Sequence, residues 1–167
     1  MKVKAPVPHR SWGLPVLIGG FAAIAVAGMG TTITEMGPWY HSLVQPRWAP
    51  PEVAYSIAWT LIYLFTGLAA ITGWRAMPDR QGGDWIVGLF AFTGFLNIVW
   101  SLLFFHLHRP DWAAAEIVVL AVAIVAWIYI VWPRSTAAGM MLLPYLAGVI
   151  FAGYHTMMVV KLNGPFG

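Results

Sequence analysis

The chain has no cysteine, so disulfides, thiol catalysis and thiolate metal sites are excluded from the start. Charge is nearly as scarce. Nine Lys/Arg and six Asp/Glu make only 9% of the 167 residues, against roughly 25% in soluble domains. So few charges cannot wet the surface of a folded monomer, which excludes a cytosolic globular enzyme, a disordered chain and a nucleic-acid module. No Ser-His-Asp spacing, Gly-rich phosphate loop, ATP motif or pair of carboxylates is present, so an ordinary hydrolase or nucleotide enzyme has no support. What the chain does have is apolar and aromatic: 60% hydrophobic residues, 15% aromatic, ten tryptophans and a mean hydropathy of +0.74. This is the composition of an integral membrane protein in contact with a lipid bilayer.

Charges and turn residues divide the chain into five apolar stretches, at 14–34, 53–74, 85–105, 112–132 and 137–160. Each is long enough for a helix to cross a hydrocarbon core of roughly 30 Å. The runs are continuous rather than alternating, so strands are not expected. The predicted fold class is all-α, a single bundle of five transmembrane helices. The first stretch also carries signal-peptide features, with Lys2, Lys4 and Arg10 before it and Ala25-Val26-Ala27 as a cleavage pattern. Cleavage there would leave four spans, and the span reading is kept. Pro15 suits a first helical turn, and Pro144 is expected to bend the last helix.

Lys2, Lys4, Arg10, Arg75, Arg80 and Arg134 fall on one face of the membrane, and Arg47, Arg109 and Lys161 on the other. This bias places the N-terminus in the cytoplasm and the C-terminus in the periplasm of a bacterial inner membrane. Glu116 lies inside the fourth span about one turn from its start, where it is expected to snorkel or pair at the interface.

The connector at 35–52 is long for so compact a chain, and long connectors usually serve a function. It holds the rings Trp39, Tyr40 and Trp48, the single cation Arg47, and Pro38, Pro46, Pro50 and Pro51 as braces. A proline-stiffened loop loses little entropy on ordering, so it reads as a rigid lid over the bundle. Rings for the faces and a guanidinium for acidic edges suit a flat hydrophobic ligand. An interfacial aromatic belt explains any one of these rings equally well.

Polar groups inside the spans are few. Asn97 needs a hydrogen-bonding partner in hydrocarbon, with Trp100, Ser101, Phe104 and Phe105 following it. The second span offers Trp59, Thr60 and Tyr63; the fifth offers Tyr145, Tyr154, His155 and Thr156. These converge either on an aromatic cavity with polar handles or on helix–helix contacts where polar groups act as glue. His155 suits axial ligation of a haem iron or chlorophyll magnesium, or a hydrogen bond to a neighbour. His106-x-His108 with Asp111 lies in a short polar turn and reads as solvated, so no metal site is expected. Small-residue stripes at Gly19, Ala23 and Ala27, at Gly88, Ala91 and Gly94, and at Gly148 and Ala152 mark close helix contacts within a bundle or a homodimer.

Taken together, these residues resemble a known family. Trp39-Tyr40-x-x-Leu43-x-x-Pro46-x-Trp48-x-Pro50-Pro51, then Trp59-Thr60-x-x-Tyr63 and Gly67, is similar to the signature of the TspO/MBR family. Its members are bacterial tryptophan-rich sensory proteins and the mitochondrial translocator protein. Asn97-x-x-Trp100-Ser101-x-x-Phe104-Phe105 and Leu143-Pro144-Tyr145-Leu146 resemble its third and fifth helices. The resemblance implies a five-helix bundle, often homodimeric, with a pocket roofed by the loop after the first helix. It implies binding of a porphyrin or other tetrapyrrole, with no cofactor required, and a pocket including Trp39, Trp59, Asn97, Trp100, Tyr145 and Ala152.

The chain departs from the family pattern at Thr93, usually Gln; at Gly148, usually Trp; and at His155-Thr156, usually Leu-Asn. The sterol-recognition pattern also fails, because Tyr154 and Lys161 are too far apart. Loss of the indole at Gly148 enlarges or flattens one wall and removes a redox-capable ring. The expected function is therefore a non-enzymatic sensor, carrier or regulator. The alternatives are a subunit of a larger membrane assembly, such as a photosynthetic pigment–protein complex, and a light-dependent porphyrin-degrading enzyme.

Overall fold

The structure, a computed structural model, describes residues 36–166. The expected span at 14–34, its small-residue stripe and the signal-peptide alternative lie outside the described residues. The rest is helical: α1 (Pro38–Ser42), α2 (Glu52–Ala76), α3 (Arg80–Ser101), α4 (Pro110–Val131) and α5 (Thr136–Asn163). A π-helical turn at Leu102–His106 extends α3. The long helices, with that turn counted into α3, are four apolar segments of 22–28 residues. At about 1.5 Å per residue each exceeds the roughly 30 Å of a bilayer core. The chain is an integral membrane protein.

All four long helices start before the apolar runs do, α2 and α5 by a single residue. α3 begins at Arg80 rather than at 85 because Asp79 caps it, its carboxylate accepting from the Gly82 amide at 2.7 Å. Ser135 does the same for α5, accepting from the Ala138 amide at 3.2 Å. Pro110 opens α4, where its missing N–H loses nothing. These polar first turns stand in water, so hydropathy alone does not register them. α5 continues as one helix through Pro144.

α2 packs on α3, α3 on α4, α4 on α5, and α5 on α2, closing a ring. Three buried layers stack along its axis. The layer at the α2–α3 turn end holds Ala69, Met77, Ile86, Trp127, Val131, Ala138 and Leu142. The middle layer holds Ile62, Leu96, Ile117, Leu120, Ile124, Tyr145, Val149 and Ala152. The third, beneath α1, holds Tyr40, Phe104, Ala113 and Val159. Ile57, Leu61, Leu64 and Leu68 on α2, and Val118, Val122, Val125 and Tyr129 on α4, point outward as a lipid-facing surface.

Candidate functional site

The sequence-predicted site residues fall into three groups. The first lies in the middle of the ring. Trp59 and Tyr63 stand one turn apart on α2 with ring centroids 5.5 Å apart. The Tyr63 hydroxyl donates to Asn97 Oδ1 on α3 at 2.7 Å, which supplies the partner that Asn97 needs. The Tyr145 hydroxyl on α5 donates to the Thr93 carbonyl at 3.2 Å. Trp59 and Trp100 pack on the same buried cluster as Tyr145 and Ala152. These polar handles tie α2 to α3 and α3 to α5.

The second group is where α1 sits on the π-helical turn. Trp39 stacks on His108 with centroids at 4.2 Å and meets Phe104 edge-on at 6.0 Å. Tyr40 is buried against Phe104 and Phe105. Burial pushes the Tyr40 phenol above its usual titration range, and the Glu52 carboxylate adds to that. Trp100 stacks on Phe104 at 5.4 Å and so joins this group to the first.

The third group is where the loop meets α5. Trp48 stacks on Tyr154 at 5.1 Å and meets Phe151 and His155 edge-on. His155 Nε2 lies 3.1 Å from Gln45 Oε1, so this imidazole takes the neighbour hydrogen bond rather than standing free. The Val44 amide donates to Asn163 Oδ1 at 2.7 Å, and Asn163 Nδ2 donates back to the Val44 carbonyl at 3.0 Å. Sequence reasoning missed Gln45 and Asn163, since no local signal pairs residues so far apart. The connector therefore crosses one end of the ring, seated on the end of α3 by one set of rings and on α5 by another. Arg47 is exposed and makes no ion pair among the described residues. In the polar turn, Asp111 is held by Arg109 through two hydrogen bonds, at 2.9 and 2.6 Å.

One reading needs correction, and one open alternative is decided. Glu116 does not snorkel: both of its carboxyl oxygens are shut away from solvent and have no hydrogen-bond partner among the described residues. It stands between buried Ala113 and Leu120 on the inward seam of α4, and that spacing turns it away from the interface. At Gly148 the wall is flattened rather than enlarged. A Cβ there would come within 2.5 Å of Ile62 Cδ1, so Ile62 fills the space beside the bare backbone. Thr93, another of the departures, is satisfied locally, its hydroxyl donating to the Leu89 and Phe90 carbonyls.

The Gly148 contact is testable. Gly148→Trp is expected to destabilise the protein by about 1–3 kcal/mol through overpacking, and Ile62→Ala by a similar amount through a void. The double variant is expected to recover at least about 1 kcal/mol of the summed loss. Thermal unfolding of all four proteins in one detergent measures the coupling, and strict additivity would mean that the two side chains do not share the space.

Fold and site together define a polytopic helical membrane protein whose interior carries aromatic rings and isolated polar groups, crossed at one end by an aromatic loop. The chain belongs to the TspO/MBR family, whose model matches residues 14–162. It is 32% identical over 154 residues to the tryptophan-rich protein TspO of Chlorobaculum tepidum, covering 90% of this chain and 95% of that one. It is 32% identical over 147 residues to protein CrtK of Rhodobacter capsulatus, covering 86% and 89%. It is 30% identical over 152 residues to the translocator protein of Bos taurus, covering 88% and 85%. Other relatives carry the names tryptophan-rich sensory protein and translocator protein.

Proposed function

We propose that this protein binds a flat hydrophobic ligand of the tetrapyrrole type inside the helix ring and acts as a sensor or carrier in a bacterial inner membrane. The observation that carries this reading is the double seating of the connector. Trp39 and Tyr40 rest on the end of α3 and Trp48 rests on α5, so a loop with rings at both ends spans one end of the ring. Beneath it, Trp59, Tyr63, Trp100 and Tyr145 supply apolar faces. Asn97 and His155 supply polar handles, Ala152 leaves a close approach to α5, and exposed Arg47 steers acidic groups toward the rim. The names sensory protein and translocator protein among the relatives fit either signalling or carriage. The N-terminus is assigned to the cytoplasm and the C-terminus to the periplasm on the distribution of Lys and Arg. A homodimer formed through small-residue faces is consistent with this role.

The test is titration of the purified protein with protoporphyrin while tryptophan emission is followed. Saturable quenching is expected. Trp59→Ala is expected to weaken binding about fivefold to tenfold, the equivalent of one stacking contact of roughly 1 kcal/mol. Emission that stays flat to the highest protoporphyrin concentration would remove this reading.

A further inference from the structure

Glu116 sets the ring's interior chemistry apart from that of its rim. It lies about 9 Å along α4 from Pro110, counting roughly 1.5 Å per residue. It stands beside the middle layer, and neither carboxyl oxygen has a partner among the described residues. An unpaired carboxylate in such a place is disfavoured by several kcal/mol, so ionisation there calls for a positive partner. The protein supplies none among the described residues. On α5 the facing ionisable group is Tyr145, whose hydroxyl is within electrostatic reach of Glu116, Asn97 and Tyr63. On α3, Trp100 is not ionisable, and its indole N–H has no partner among the described residues. Tyr63 on α2 donates to Asn97, and the π-helical turn packed on α4 carries only the exposed His106 as an ionisable group. Among the described residues the cations Arg75, Arg80, Arg109, Arg134 and Lys161 all stand at or near helix ends. Trp100 packs on the clusters that contain Ala113 and Ile117, the residues on either side of Glu116, and so sets an aromatic ring against this part of α4.

A membrane-buried carboxyl on a helix face packed by an indole ring, with no cation beside it among the described residues, has the chemistry to take an organic cation. The carboxylate balances the charge, and the ring offers its negative face. We propose that Glu116 is a proton-binding site inside the ring at which a hydrophobic organic cation exchanges for the proton. The step balances: the O–H bond of the carboxyl breaks, one proton leaves to water, and one monovalent cation pairs with the carboxylate. The net charge held in the membrane stays the same. This goes beyond the tetrapyrrole reading and stands without it.

Tetraphenylphosphonium is the probe, with tetraphenylborate as its counterpart of opposite charge and like shape. Binding to the purified protein in detergent is measured by equilibrium dialysis and by calorimetry in buffers of different ionisation enthalpy. Saturable binding of the cation is expected to strengthen about tenfold per pH unit while the site is protonated, because one proton competes with one cation. Close to one proton is expected to be released per cation bound. Glu116→Gln is expected to abolish saturable binding and Glu116→Asp to keep it, while tetraphenylborate does not saturate. Circular dichroism and gel filtration check the fold of each variant. If Glu116→Gln does not fold, the pH slope and proton release of the unaltered protein decide the matter. Cation binding that is independent of pH, equal in Glu116→Gln, or only a non-saturating partition into the micelle would overturn the proposal.

Discussion

Trp127→Ala is expected to lower the unfolding free energy by about 3 kcal/mol or more, the range seen when a large buried ring is truncated. Trp127 is fully buried at 0% exposure, in the layer with Ala69, Ile86, Val131, Ala138 and Leu142. Phe90 meets it edge-on at 6.1 Å. In a bilayer the loss has a particular origin. Helices that separate in lipid stay in an apolar medium, so little transfer energy is at stake, and what disappears is close dispersion contact. The indole N–H gains nothing from its place, being buried without an acceptor among the described residues. Trp127→Phe removes that orphan donor and keeps most of the ring, so it is expected to fall well short of the alanine loss. Unfolding of the three proteins by denaturing detergent gives the comparison. An alanine variant within about 1 kcal/mol of the original would mean that this layer does not hold the ring together.

The apolar runs made the spans legible because a bilayer imposes one simple requirement, length without charge. Their ends were less legible because Asp79, Ser135 and Pro110 start helices in water, ahead of the apolar run. Glu116 shows where linear position misleads. Seven residues into its helix it reads as interfacial, but the spacing of Ala113, Ile117, Leu120 and Ile124 turns the same stretch of α4 inward. That spacing was in the sequence; the partner helices that make it an interior face were not. Asn97 is the converse case. Its need for a partner followed from the solvent alone, but choosing Tyr63 over the other hydroxyls required the packing of α2 on α3. The rings and prolines of the connector were plain, yet where they sit depends on contacts between residues 110 and 119 positions apart. No local pattern encodes such pairings, so the loop read as a lid without its anchors.

Those anchors carry the second large effect. Asn163→Ala removes both hydrogen bonds to Val44, at 2.7 and 3.0 Å, together with the bond from Asn163 Nδ2 to the Val159 carbonyl at 2.9 Å. At roughly 1 kcal/mol net for each bond to the loop, local opening of the connector near Val44 is expected to rise about tenfold to a hundredfold. Hydrogen exchange at the Val44 amide reads this directly. Asn163→Asp keeps an acceptor for the amide but cannot donate to the Val44 carbonyl, so it is expected to fall between the two. Gln45 on His155 and Trp48 on Tyr154 remain in both variants, so full release is expected only when Gln45→Ala is added. If ligand passes beneath this loop, Asn163→Ala raises association and dissociation rates together and leaves Kd for protoporphyrin nearly unchanged. Trp59→Ala, by contrast, raises Kd chiefly through faster dissociation. Two variants with opposite kinetic signatures thus separate a gate from a wall. An Asn163→Ala protein with unaltered exchange at Val44 would mean that the rings alone seat the loop and its hydrogen bonds hold nothing shut.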